Sequence, residues 1–105
     1  MTRVRLPDRR PSFTTVLVYE NNPYSVTLGF DVRADRIAEV FTHGAKVGSG
    51  MDRLLDDVCV ALSLLLQHGA EPGPLAASMG WLGDGKSPAS IVGALADLIA
   101  REAQP

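Results

Sequence analysis

The stretch FTTVLVYENNPYSVTLGFDVRADRIAEVFT, Phe13 to Thr42, decides the fold, because its apolar and polar side chains alternate with a period of two. Thr15, Leu17 and Tyr19 alternate with Thr14, Val16 and Val18, and β-branched residues dominate, so the segment from Phe13 predicts a strand. Asn21, Asn22 and Pro23 then supply turn chemistry: Asn tolerates positive φ, and Pro cannot continue a hydrogen-bonded ladder. In the next segment Val26, Leu28, Phe30 and Val32 share one face, while Ser25, Thr27, Gly29 and Asp31 share the other. Ala34, Asp35 and Arg36 make a polar turn into Ile37 to Thr42, which completes a three-stranded antiparallel meander with one apolar face.

A sheet of that size cannot stand alone in water, so something must cover its apolar face. The rest of the chain supplies the cover. After a loop from His43 to Gly50, Met51, Leu54, Leu55, Val58, Leu62, Leu65 and Leu66 recur at helical spacing and predict a helix over 50–68. Ser49 with Asp52 three residues on resembles a capping box, and Gly69 suits the residue just past the helix end. A short helix is expected over Pro74 to Met79, stopped by Gly80, and Trp81 to Lys86 reads as a loop. Ser87 and Pro88 then read as an N-cap and first helical residue, ahead of the stripe Ile91, Val92, Leu95, Leu98 and Ile99 in a last helix to Ala103. The expected class is α+β, the meander being followed by one long and two shorter helices packed on one face of the sheet.

Residues 1–12, MTRVRLPDRRPS, carry Arg3, Arg5, Arg9 and Arg10 with two prolines, and read as a basic arm ahead of a single domain over 13–105. Only one domain fits in 105 residues. Ten basic and twelve acidic side chains leave a formal charge of −2, which gives the whole molecule no attraction for nucleic acid or an anionic membrane. Its longest apolar run, Val58 to Leu66, is interrupted by Ser63 and falls short of a membrane span. The lone Cys59 has no internal disulfide partner, and the N-terminal residues do not resemble a secretory signal, so a cytoplasmic setting is expected.

The strand-to-helix loop is the first candidate site. Glycines beside a lysine, with a helix N-terminus behind them, favour an anion, so His43, Lys46, Gly48, Ser49 and Gly50 are candidates for a phosphate-bearing or nucleotide ligand. The order GxxxxGK[ST] is absent, so the loop is not a Walker motif. A purely local reading competes, in which the glycines permit a turn and Ser49 caps the helix. Arg9, Arg10 and Trp81 are candidates for contact with a partner, and Trp81 equally suits the edge of the core.

His43, Cys59 and His68 match no zinc spacing, and nothing implies a cofactor. His68 suits the carbonyls at the helix end, Cys59 suits the core, and Asp56 and Asp57 do not converge on a helix. The chain therefore carries too little chemistry to be expected to act as a self-sufficient enzyme. A small enzyme or reductase component using Cys59 or His43 is the alternative in a different class, and a structural homodimer paired through exposed strand edges is a third.

The run AEVFTHGAKVGSGMD, the helix VALSLLLQHG, Pro72 and the segment SPASIVGALADLIA together resemble the TSCPD domain. That domain occurs in ribonucleotide reductases, often near the C-terminus of the cobalamin-dependent kind, and as short free-standing bacterial proteins. The opening LPDRRPSFT is similar to the start of those short proteins, while the Thr-Ser-Cys-Pro-Asp run and a cysteine pair are absent. The resemblance implies association with ribonucleotide reductase as an accessory, regulatory or nucleotide-sensing module. It does not bring the reductase activity, whose cysteines, radical machinery and cobalamin site belong to a large barrel.

Overall fold

The computed structural model describes residues 11–31, 35–43 and 49–103. Strands β1 (Ser12–Tyr19), β2 (Asn22–Asp31) and β3 (Arg36–His43) form one antiparallel sheet in the order β1-β2-β3. Helices α1 (Ser49–Gln67), α2 (Pro72–Ala77) and α3 (Ile91–Glu102) follow. The α+β class, the meander and the one long and two shorter helices are as the alternation and helical spacing predict.

The β1–β2 turn is tighter than its asparagines suggest. Only Glu20 and Asn21 lie between the strands, both at positive φ (50° and 66°), the requirement of a type I′ hairpin turn whose twist suits the flanking strands. Asn22 and Pro23 are already in β2. Pro23 faces Val18, and because Phe30 N–H donates to Pro11 C=O, counting along the ladder makes 18 with 23 a non-hydrogen-bonded pair. The missing N–H of Pro23 therefore costs the β1–β2 ladder nothing.

Val26 and Leu28 of β2 and Ile37 and Val40 of β3 are buried, together with Leu17 of β1. Phe13 and Phe30 stack at the margin of this layer, their ring centroids 5.6 Å apart. A register shift between Gly29 and Phe30 opposes Ile37 to Phe30 and Glu39 to Gly29, so Ala38 is the extra residue of a bulge and both Ile37 and Ala38 reach the interior. Against this layer α3 buries Ala94, Leu95, Leu98 and Ile99, and α1 buries Leu55, Cys59, Leu62 and Leu66. Each fully buried Leu or Ile contributes about 1.5–3 kcal/mol of transfer free energy.

Helix boundaries differ from expectation chiefly at the starts of the two shorter helices. The short helix starts at Pro72, because Glu71 is extended and proline takes the first helical position. The last helix starts at Ile91 with Ser90 as its N-cap, the Ser90 hydroxyl accepting from Gly93 N–H at 3.1 Å. Ser87 and Pro88 do not start it: Pro88 pairs with Trp81 across the α2–α3 connection, and Ser87 bonds Asp84. At the other end of α1, Gly69 adopts φ 98°, Gly69 N–H reaches Leu66 C=O, and Ala70 N–H reaches Leu65 C=O. That pair of bonds is a Schellman ending, and it confirms Gly69 as the terminator. The His68 ring bonds Leu64 C=O at 2.8 Å, as a capping side chain does.

Candidate functional site: the seam between β3 and α1

β3 is the last strand of the sheet, and α1 runs along its free edge. Val40 is opposite Leu28, and Leu28 is opposite Phe13 in a hydrogen-bonded pair, so Val40 turns its N–H and C=O away from β2. Both groups are buried and need partners. The Ser63 hydroxyl supplies them, accepting from Val40 N–H at 3.0 Å and donating to Val40 C=O at 3.2 Å. One turn further on, Gln67 Nε2 donates to Ala38 C=O at 3.2 Å. One turn back, Cys59 Sγ–H points to Thr42 Oγ1 at 3.8 Å.

Positions 59, 63 and 67 are spaced by four, so they form one stripe of α1 facing Thr42, Val40 and Ala38 in reverse order. Ser63 and Gln67 do for this edge what a fourth strand would do. The serine that interrupts the apolar run Val58 to Leu66 was visible in the sequence. Its purpose was not, because no local pattern says which helix residue will lie against a strand edge.

A groove of ≈360 Å³ opens above this seam, lined by Phe41 and Thr42 of β3 and by Asp56, Cys59, Val60 and Ser63 of α1 among others. Burial pushes the Cys59 thiol pKa up, against a smaller opposite pull from its contact with Thr42. The thiol therefore stays protonated at neutral pH, which is the unreactive form.

The expected loop site lies only partly within the described residues. Lys46 and Gly48 lie outside the described residues, as do Arg9 and Arg10. Ser49 opens α1, and Gly50 follows it in the first turn, exposed and with free space around it. His43 ends β3, where its Nε2 and the Thr27 hydroxyl share a hydrogen bond of 2.8 Å. Thr27 is in turn bonded to the Thr14 hydroxyl at 2.7 Å, so a polar chain crosses the outer face of all three strands. Trp81 is half-buried beside Pro88, on the α2–α3 connection. In that connection Asp84 is a loop organiser: hydrogen bonds from the Ser87 hydroxyl and from the Lys86 and Ser87 N–H groups hold its carboxyl below the usual range.

The apolar stripe predicted for α1 divides in two. Leu55, Leu62 and Leu66, with Cys59, face the interior. Met51, Leu54 and Leu65 do not: they are 46%, 57% and 45% exposed. With half-buried Val58 and exposed Ala61 they recur at spacings of three and four, a second apolar seam adjoining the first. An apolar arc this wide exceeds what one sheet edge and α3 can cover.

Among the described residues no helix is long and apolar enough to cross a membrane, and no cluster of His, Cys, Asp and Glu could hold a metal ion. The family model described as the TSCPD domain matches residues 3–103, nearly the whole chain. No curated protein and no solved structure gives a significant match.

Proposed function

The chain belongs to the TSCPD family, and from that premise we propose that it is a non-catalytic accessory module that docks on a partner protein, a ribonucleotide reductase. The observation that carries the reading is the second apolar seam of α1, Met51, Leu54, Val58, Ala61 and Leu65, which no described residue covers fully. A seam with heptad-like spacing is the surface that a helix or a hydrophobic groove of another protein accepts. Two features favour docking over chemistry: the Cys59 thiol is buried and protonated, and His43 is engaged with Thr27.

Purified domain and purified reductase from the same cell test it by titration calorimetry. Binding is expected, and Leu54→Asp with Leu65→Asp should abolish it while leaving the melting temperature nearly unchanged, because both side chains are already half in solvent. No heat at about 100 μM of either protein, well above the range of specific complexes, removes the docking reading. The ligand alternative is read separately: a shift of the Gly50 amide resonance on addition of ATP or dATP to the free domain would favour a phosphate-bearing ligand at the start of α1.

A further inference from the structure

The sheet has two edges, and the chain treats them differently. The β3 edge is occupied by α1 through Ser63 and Gln67. The β1 edge carries no further strand among the described residues, where the sheet order ends at β1, and the α2–α3 connection, Leu82 and Ser87 to Ala89, comes near it only at the Val18 to Glu20 end. In the same ladder count that places Val40, the N–H and C=O groups of Ser12, Thr14, Val16 and Val18 point away from β2. Among the described residues no backbone group bonds to them.

An unpaired edge is normally blunted by a charge, a proline, a bulge or shortness. β1 has none of these. Its sequence SFTTVLVY runs for eight residues with no charged side chain and no proline, and it pairs with β2 in unbroken register. Val16 and Val18 on its outer face are 62% and 64% exposed.

We propose that β1 pairs antiparallel with β1 of a second copy of this chain about a two-fold axis at Thr15. The register is self-complementary. With Thr15 opposite its own symmetry mate, Ser12 meets Val18, Thr14 meets Val16, and every outward group from Ser12 to Val18 finds a partner, about eight inter-chain hydrogen bonds. On the inner face Phe13 of one copy comes opposite Leu17 of the other, which extends the core across the axis. A second copy is favoured over a foreign strand because this strand carries no charge that would repel its own image or select another. The result is a six-stranded sheet whose only two edges are both β3, each already closed by α1. The two α1 seams then lie at opposite ends of the assembly, so the pairing stands independently of what α1 binds.

The test begins with Thr15→Cys. Residues facing each other across a non-hydrogen-bonded pair have Cα atoms about 4.5 Å apart, within disulfide reach. Oxidised glutathione should therefore link Thr15→Cys chains into a covalent dimer, while the native chain, whose buried Cys59 is remote from the axis, stays unlinked. Analytical ultracentrifugation of the native protein should show a dimer. Val16→Lys should raise its dissociation constant by about tenfold or more, since it sets two ammonium groups diagonally across the axis. Hydrogen exchange provides a readout that needs no variant: the Thr14, Val16 and Val18 amides should be protected in the native protein. A native monomer overturns the proposal. So does a dimer whose Thr14, Val16 and Val18 amides exchange freely, and so does protection that appears only when a different protein is added.

Discussion

Replacing Ser63 with alanine tests the reading of the β3–α1 seam most directly. The substitution removes one hydroxyl and leaves Val40 N–H and Val40 C=O without partners in a fully buried position. An unsatisfied buried group costs about 1–3 kcal/mol, the carbonyl less than the donor. Alanine returns roughly 0.5 kcal/mol through its higher helix propensity. The net loss is expected to be about 2–4 kcal/mol, a large share of the roughly 5–15 kcal/mol that holds a domain of this size folded. For such a domain each kcal/mol moves the melting temperature by about 4–8 °C, so Ser63→Ala should melt roughly 10–25 °C below the native protein. Urea titration followed by circular dichroism measures the loss, and an unchanged slope shows that both forms unfold from an equally compact state. Hydrogen exchange at Val40 provides the local readout, since its amide should change from among the slowest to a fast one. A loss below about 0.5 kcal/mol, within the range of ordinary surface substitutions, with Val40 still protected, would refute the claim that this hydroxyl closes the sheet edge.

Gly69→Ala should cost about 1 kcal/mol in urea unfolding, because φ 98° at the end of α1 is strained for any residue with a Cβ; no change would mean that the Schellman ending is not needed. The pair Glu20→Asn and Asn21→Gly, which places Asn-Gly where both residues already have positive φ, should stabilise by about 0.5–1 kcal/mol; a lower melting temperature would contradict the type I′ assignment. Cys59 should resist iodoacetamide at pH 7.5 until the chain unfolds, and rapid labelling of folded protein would overturn its burial. Folding raises the pKa of this thiol, so its contribution is complete below the unfolded value near 8.5 and declines as pH rises through the folded value. The native protein should therefore lose stability more steeply than Cys59→Ala does as pH rises above about 8.5, and parallel curves would refute the sign.

The alternation from Phe13 to Thr42 was enough to specify three strands and the buried face of the second, because a period of two is a local property of the chain. Gly69 was equally legible, since a helix ending at positive φ favours glycine wherever it occurs. Ser87 and Pro88 show the limit of such signals: they satisfy a helix start locally, yet Pro88 is held by Trp81 and Ser87 by Asp84, and Ser90 takes the cap. The division of α1 was also beyond local reading. Met51 and Leu55 both suit a buried stripe, and only the position of the sheet decides that Leu55 is inside and Met51 is not.

By itself, then, the sequence determined the element types, the meander, the principal helix terminator and the membership that nearly the whole chain shows. The tertiary structure decided which sheet edge is closed and which is open. That difference rests on Ser63 and Gln67 lying against Val40 and Ala38, more than twenty residues away in the chain, while Ser12 to Val18 meet nothing comparable among the described residues. Hydrogen-bond satisfaction across a strand edge depends on what packs beside it, and no periodicity within a strand carries that information.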